Sequence, residues 1–226
     1  KEFALFIDRL ITKNCPFALW SMPKSNTPEL LVAQKSGVVY SSHLNLLNGN
    51  EGFVYVPYRI SENTPQVLLK PYIHKKGVAE ILKINCDYIQ GEAEDICRAV
   101  DPFFISHDEF VRDIERVIDY IKKTKLAKVI VSRLIPFERR NESVGRVYIR
   151  LLQQTPNAFV YLVNIPSSGS GFPGAGLWMG ATPEVLLKSE GKTLETVSLA
   201  GTQSRRSDNN YSWYTKEIEE QAFVSR

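Results

Sequence analysis

Apolar and polar residues follow two different periods along this chain, and the changes of period predict the order of its elements. Near the N-terminus, apolar residues recur at helical spacing over residues 2–13, and Asn14 and Pro16 mark the end of that helix. Short β-like runs follow, each bounded by Ser, Asn, Gly or Pro, at residues 17–22, 30–33, 52–57 and 66–71. The first part of the chain is therefore predicted to be mostly sheet.

The clearest helical pattern lies between His107 and Lys125. Apolar residues recur there at intervals of three and four, which predicts a helix with one buried face: Phe110, Ile114, Val117, Ile118 and Ile121. The β-branched run from Lys128 to Pro136 predicts a strand. The remaining pattern predicts two helices and three strands, at residues 143–154 and 211–226 and at residues 158–165, 177–180 and 192–200. This mixed order indicates an α+β fold.

Composition and charge exclude several classes of protein. A chain of 226 residues suits one large β-rich domain or two lobes that share a core. Its 28 basic and 25 acidic residues are mixed, without a block of one sign to bind a phosphate backbone, so no nucleic-acid partner is expected. No apolar run approaches the roughly 18 residues that span a bilayer. Without a signal-peptide cleavage site, we expect a cytoplasmic protein that does not enter a membrane.

The cysteines and the longest glycine-rich loop carry no recognisable site. Cys15, Cys86 and Cys97 lie in unrelated contexts, without a Cys-x-x-Cys pair or matching histidines, which argues against a disulfide framework and a structural zinc site. The loop at residues 166–176 contains four glycines but lacks the phosphate-binding and dinucleotide-binding patterns. We therefore assign it no phosphate.

Two glutamates near the C-terminal end are candidate metal ligands. Glu217 and Glu220 occupy neighbouring positions on one helix face, where their charges repel unless solvent or a cation screens them. Carboxylate oxygens suit Mg²⁺, which takes only one or two protein carboxylates. Taken alone, glutamates at this spacing are more often a solvated helix face.

Glu184 and Lys128 are candidate acid and base. Glu184 follows a proline between apolar stretches, and apolar surroundings disfavour a charged carboxylate, so it could act as a general acid. Lys128 opens an apolar run, where desolvation would favour the neutral amine of a base. The alternatives are a solvent-facing glutamate and a lysine whose stem packs along the sheet with its ammonium in water.

A short turn at Ala200, Gly201 and Thr202 is a candidate binding element. Its backbone amides are unobstructed at the glycine, and the threonine adds a hydroxyl. Together these groups can hold a carboxylate. An ordinary glycine turn is the alternative.

Four segments in this order resemble the chorismate-utilising enzymes, which comprise isochorismate, salicylate, anthranilate and aminodeoxychorismate synthases. They are Lys128–Arg133, Gly180–Glu184, Leu199–Thr202 and Lys216–Glu220. The chain is most similar to the isochorismate synthases. This resemblance implies a single chorismate-binding-type domain over residues 1–226, built of large, mainly antiparallel sheets flanked by helices, with chorismate as its substrate.

The resemblance also implies roles for the acid and the base. Lys128 would be the general base that activates water for attack at ring carbon 2. Glu184 would protonate the departing 4-hydroxyl. Since a hydroxyl group only moves across a conjugated ring, one group removes a proton and another supplies one, and no redox cofactor is needed.

The metal and substrate contacts are implied in the same way. Glu220 would bind Mg²⁺, with Glu217 beside it, and Gln221 stands where the family has a histidine. The turn at Ala200–Thr202 would contact the substrate through its main-chain amides. Magnesium would bind the ring carboxylate and offset its charge.

Lys128 separates the members of this family. Synthases that install nitrogen lack this lysine and draw ammonia from a glutaminase, so no glutaminase subunit is expected. Salicylate synthase and a non-catalytic binding or assembly domain remain alternatives. Family members continue well beyond the last helix, so we expect a truncated domain that is inactive alone. Menaquinone and siderophore biosynthesis both remain open as destinations of the isochorismate.

Overall fold

The computed structural model describes residues 1–25, 27–43, 49–89, 104–138, 141–165, 175–204, 207–208 and 210–225. The helices in these ranges are α1 (Glu2–Thr12), α2 (Val78–Leu82), α3 (His107–Lys123), α4 (Val144–Gln154) and α5 (Thr215–Ser225). The strands are β1 (Phe17–Ser21), β2 (Glu29–Val32), β3 (Val38–Ser41), β4 (Phe53–Tyr55), β5 (Gln66–Leu69), β6 (Ile73–Lys76), β7 (Phe159–Ile165), β8 (Gly176–Thr182), β9 (Lys188–Glu190) and β10 (Thr193–Glu195). Cys97 and residues 166–174 of the glycine-rich loop lie outside the described residues.

A five-stranded antiparallel sheet in the order β6-β2-β1-β7-β8 forms the centre of the fold. In β1, Leu19 pairs with Leu30 of β2 on one side and with Leu162 of β7 on the other. A second sheet has the order β3-β5-β4, and β9 and β10 form a separate two-stranded ribbon. The predicted α+β class with antiparallel sheets is therefore confirmed.

The middle strands of the central sheet, β2, β1 and β7, are largely buried on both faces, since their side chains alternate between two hydrophobic clusters. Phe17 and Leu19 of β1 belong to the cluster formed with the helices, whereas Ala18 belongs to the cluster formed with the second sheet. The helical side contributes Ile7, Leu10 and Tyr148, and the second sheet contributes Val67 and Leu69. Each fully buried side chain of this size stabilises the fold by about 1.5–3 kcal/mol. The result is three layers: helices, central sheet and second sheet.

Helices α1 and α4 are joined by a close contact and a carboxylate. A Cβ atom at Gly145 would lie 2.3 Å from the Ala4 carbonyl oxygen, so the crossing requires glycine. Asp8 accepts hydrogen bonds from the Ser143 hydroxyl at 2.6 Å and from the Gly145 amide at 3.0 Å. The Ser143 hydroxyl also accepts a bond from the Arg146 amide. An α1 side chain therefore helps to cap the N-terminus of α4.

Helix α3 forms as predicted, but its apolar face is buried only in part: Phe110, Ile114, Val117 and Ile121 are partly covered, and Ile118 is exposed. A capping box between Ser106 and Glu109 begins the helix, and the hydrogen bonds from Ser106 hold the pKa of Glu109 below its usual range. None of the helix residues is buried. Ile118 is 45% exposed, and Phe110 is covered only in part by the Arg133 guanidinium, 5.3 Å from its ring centre. The periodicity was sufficient to predict the helix, but the described residues around it cover its apolar face only in part.

The strand predicted at Lys128–Pro136 is also wrong. The structure has no strand in this run, and apolar residues along it are exposed, with Ile130 at 83%. A β-branched run becomes a strand only where a neighbour satisfies its backbone groups, and none of the described strands lies alongside it. For the same reason the strand predicted at residues 192–200 is limited to β10.

Three strands and one short α-helix were not predicted: β3, β6, β9 and α2. β6 has a polar sequence, and its Lys76 ammonium lies 2.9 Å from a Glu29 carboxylate oxygen on the neighbouring strand. Such an edge strand lacks the alternation that reveals a half-buried strand. No helix in the described ranges is long and apolar enough to cross a membrane.

We expect Asp8→Ala to lower the free energy of unfolding by about 1–2 kcal/mol. The substitution removes a cap from the N-terminus of α4 and the hydrogen-bond acceptor of the Ser143 hydroxyl. Urea unfolding of the protein would measure this loss. Asp119→Ala, an aspartate on the exposed surface of α3, is the matched control and should change the stability by less than about 0.5 kcal/mol. Equal effects of the two substitutions would contradict the role of Asp8.

Candidate active site

Lys128 and Glu220 are brought together although they are distant in sequence. Lys128 lies in the extended segment after α3, and Glu220 lies on α5. The Lys128 ammonium nitrogen is 3.6 Å from a Glu220 carboxylate oxygen, and their side chains are 29% and 37% exposed. A partly exposed pair of this kind contributes about 1 kcal/mol or less. Its importance is that it places an amine beside the acidic face of α5.

Glu217 lies one turn before Glu220 on the same face of α5 and has an unusual environment. One of its carboxylate oxygens, Oε2, is buried and has no hydrogen-bond partner among the described residues. A buried polar atom without a partner costs about 1–3 kcal/mol, and more when it is charged. A proton or a cation would remove that cost.

The segment at residues 198–202 packs against α5 through polar contacts. The Ala200 amide donates to Gln221 Oε1 at 3.0 Å, and Gln221 Nε2 donates to the Ser198 carbonyl oxygen at 2.9 Å. A Cβ at Gly201 would lie 2.8 Å from the Glu217 carbonyl oxygen, so glycine is needed for this approach. The structure therefore brings the predicted Ala200–Thr202 turn to the predicted carboxylates.

Within this turn the amides differ in their availability. The Ala200 amide is occupied by Gln221. In the described part of the chain, the amides of Gly201 and Thr202 have no hydrogen-bond partner. They are the groups of the turn that remain able to donate to a ligand.

Glu184 is not joined to these residues. It follows β8, its side chain is exposed, and its amide donates to the Thr182 hydroxyl at 3.3 Å. The neighbouring Leu186 and Leu187 are 91% and 59% exposed, so they do not form the apolar surroundings expected of a protonated acid. No hydrogen bond or ion pair found among the described residues links Glu184 to Lys128 or α5, and its role stays a prediction.

Sequence reasoning missed the structural role of Gln221, which was noted only as a replacement for a histidine. Its side chain also lies 3.2 Å from the Ser225 hydroxyl, one turn further along α5. The partners on the facing segment are more than twenty residues earlier in the sequence. No local pattern could have revealed that pairing. The only hint in the sequence was that Gln221, whose amide can both donate and accept hydrogen bonds, directly follows the candidate metal ligand Glu220.

Surface pockets and buried thiols elsewhere do not involve this site. One pocket lies between α1 and residues 82–87, and another lies beside Phe3, Ile149 and Leu152. Neither is lined by a predicted site residue. Cys15 and Cys86 are free and buried, and burial raises the pKa of the Cys15 thiol to about 11. A thiol with that pKa is a poor nucleophile at neutral pH.

Comparison with known proteins gives a family and a fold. A family model described as chorismate binding enzyme matches residues 98–220, a range that contains every predicted site residue. A crystal structure from Bacillus anthracis, assigned as a 2,3-dihydroxybenzoate-specific isochorismate synthase, DhbC, is similar with a TM-score of 0.54 and 14% sequence identity. At this identity the likeness shows the fold alone, and it confirms the predicted fold.

The structural similarity covers nearly all of this chain but little more than half of the solved one. It covers 98% of this chain but 56% of the other, so this chain spans about half the length of the solved relative. No curated protein sequence matches.

We expect Gly201→Ala to destabilise the docking of α5, because the added Cβ would lie 2.8 Å from a backbone oxygen that cannot rotate away. The expected loss is about 1–3 kcal/mol in the free energy of unfolding, measured with urea. Gly37→Ala is the matched control, since its Cβ would meet nothing closer than 3.4 Å. An unchanged stability of the Gly201 variant would show that the close approach does not hold in solution.

Proposed function

We propose, because this chain belongs to the chorismate-binding enzymes, that the protein converts chorismate to isochorismate. The observation that supports this reaction is that the Lys128 ammonium lies beside Glu220 on α5, next to the turn at Ala200–Thr202. The amine, the two carboxylates and the free backbone amides supply the base, the metal ligands and the substrate contacts of the reaction, and the acid is assigned to Glu184 from the family resemblance. Menaquinone and siderophore biosynthesis remain equally compatible with this product.

The proposed reaction moves a hydroxyl group between two carbons of the ring. Lys128, as a neutral amine, accepts a proton from water while the water oxygen bonds to ring carbon 2. The ring double bonds shift, the bond from carbon 4 to its hydroxyl breaks, and Glu184 donates a proton so that the group leaves as water. Since one water enters and one leaves, substrate and product are isomers and no electron acceptor is required.

Glu220 has two possible partners in this scheme. In the structure it pairs with Lys128. Lys128 can accept a proton only as a neutral amine, so we infer that the Glu220 carboxylate is engaged elsewhere during the reaction. A metal ion is the partner that the family implies.

The residues present fit a magnesium ion. The described residues contain no cluster of three or more His, Cys, Asp or Glu that could hold a metal, but Mg²⁺ needs only one or two protein carboxylates. Glu217 and Glu220 supply such a pair, and Glu217 Oε2 is a buried acceptor without a partner. When bound, Mg²⁺ would offset the negative charge of the substrate's ring carboxylate.

The turn at residues 200–202 is proposed to bind a substrate carboxylate. The amides of Gly201 and Thr202 and the Thr202 hydroxyl are the donors, and a nest of backbone amides suits an anion. The Ala200 amide already donates to Gln221, so Ala200 serves only to place the neighbouring amides for the substrate.

We expect Lys128→Ala and Glu184→Gln each to lower kcat for isochorismate formation by about 10²-fold or more, because each removes one proton-transfer group. The assay uses the full-length product of the gene with chorismate and Mg²⁺, and chromatography separates isochorismate, salicylate and anthranilate. Lys125→Ala and Glu138→Gln change exposed neighbours and should leave kcat unchanged.

Each alternative has its own result in this assay. Near-normal turnover of either variant would remove that residue from the mechanism. Salicylate as the main product of the unmodified protein would replace isochorismate synthase with salicylate synthase. No conversion at all would favour a non-catalytic binding or assembly domain.

We expect Glu217→Gln and Glu220→Gln each to weaken Mg²⁺ binding by about tenfold or more, because each removes a negative charge beside the ion. Isothermal titration of the protein with Mg²⁺ would measure the affinities. Glu219→Gln is the matched control, an exposed glutamate on the same helix, and should bind Mg²⁺ like the unmodified protein. Equal weakening by all three substitutions would indicate only a diffuse charge effect.

A further inference from the structure

The side chain of Gln221 bridges α5 to the backbone of the segment that precedes the proposed substrate turn. Its carbonyl oxygen accepts from the Ala200 amide at 3.0 Å, and its amino group donates to the Ser198 carbonyl at 2.9 Å. One side-chain amide thus occupies a backbone donor and a backbone acceptor two residues apart. This is the pair of bonds that a neighbouring β-strand would otherwise make.

The orientation of this amide is fixed by its partners. A backbone N–H can only donate and a backbone carbonyl can only accept, so exchanging the oxygen and nitrogen of Gln221 would break both bonds. The hydroxyls of Ser198 and Ser225 lie 3.3 and 3.2 Å from Gln221 Nε2 and add weaker contacts. Gln221 is partly buried, which protects these bonds from competition by water.

This bridge is next to the packing contact of Gly201. The Gly201 backbone meets the Glu217 backbone, one turn before Gln221 on α5. The turn is therefore attached to α5 at two adjacent points, one polar and one steric. The carboxylates of α5 and the turn must then move as one unit.

We propose that Gln221 is a positioning residue for substrate binding: it holds the Ala200–Thr202 turn on α5 and occupies the Ala200 amide, which leaves the Gly201 and Thr202 amides for a substrate carboxylate. The part of this proposal that concerns substrate rests on the proposed function. The part that concerns the turn rests on the hydrogen bonds alone.

Amide hydrogen exchange of the protein, read by NMR, tests the bridge without reference to any activity. In the unmodified protein the Ala200 amide should exchange about tenfold or more slowly than those of Gly201 and Thr202. Gln221→Met, similar in length but without donor or acceptor, should remove this difference. Gln221→Glu keeps an oxygen that accepts from the Ala200 amide, so it should retain most of the difference in exchange rate.

A second glutamine provides a matched control. Gln203 Nε2 donates to the Ser212 carbonyl oxygen at 2.7 Å, so Gln203→Met removes a comparable bond from the neighbouring segment. This control should leave the Ala200 exchange rate unchanged. Two results would contradict the bridge. One is that Gln203→Met accelerates hydrogen exchange of the Ala200 amide as much as Gln221→Met does. The other is that the Ala200 amide exchanges as fast as the Gly201 amide in the unmodified protein.

Steady-state kinetics of the full-length gene product with chorismate test the effect on substrate binding. Gln221→Met should raise KM for chorismate by about tenfold, with kcat changed by no more than about twofold, because the turn binds the substrate without taking part in proton transfer. A merely structural role would reduce the active fraction and lower the apparent kcat without changing KM. That result would overturn the positioning role.

The two measurements separate the possible failures. If the unmodified full-length product of the gene forms no isochorismate, the proposed function fails, and the exchange rate of the Ala200 amide still decides whether the bridge exists. If isochorismate forms and Gln221→Met keeps the unmodified KM, the positioning role is wrong whatever the exchange data show. Should Gln221→Met fail to fold, the exchange rates of the unmodified protein and the KM of Gln221→Glu decide instead, since loss of the Ser198 bond should raise that KM.

Discussion

The close contact between α1 and α4 is the constraint on which the layered core depends. It joins parts of the chain more than 130 residues apart, through the Asp8 bonds to Ser143 and Gly145. Because the crossing leaves no room for a side chain at Gly145, the two helices cover the same face of the central sheet. The chain then passes from α4 directly into β7, which pairs with β1 and carries β8. The docking of α4 on α1 therefore helps to set the place of β7 and β8 in the central sheet.

The site region is held together in a different way from the core. The core layers bury large apolar side chains, whereas Lys128, the turn at residue 201 and α5 are held by an ion pair, an amide bridge and one close backbone contact. None of the residues of α5 is buried. Regions with few apolar contacts open at a lower free energy than the core. Each polar contact in the site therefore has a larger share in positioning it than a similar contact would have in the core.

The sequence predicted those elements whose own side chains determine them. The apolar positions of α1, β1 and β7 repeat with the right period because each of these elements buries a face within this chain. The run after Lys128 has the composition of a strand but no partner, and strand formation depends on a neighbour that composition does not reveal. The family resemblance predicted that Lys128 and Glu220 belong to one site. Neither the sequence pattern nor the resemblance predicted the bridge by Gln221. Side-chain bonds to a distant backbone leave no periodic signal.

The charges of the site connect the proposed substrate to the proposed metal. Chorismate carries a ring carboxylate and a pyruvyl carboxylate, and Glu217 and Glu220 add two negative charges. Among the described residues, the ammonium of Lys128 lies beside Glu220. Like charges at a few ångströms repel by about 4 kcal/mol at the effective dielectric constant near a protein surface. A dianion would therefore be repelled from this face of α5 unless a cation lay between the substrate and the helix. A bound cation between the substrate and α5 would offset this repulsion, together with the ammonium of Lys128 and the backbone amides of Gly201 and Thr202.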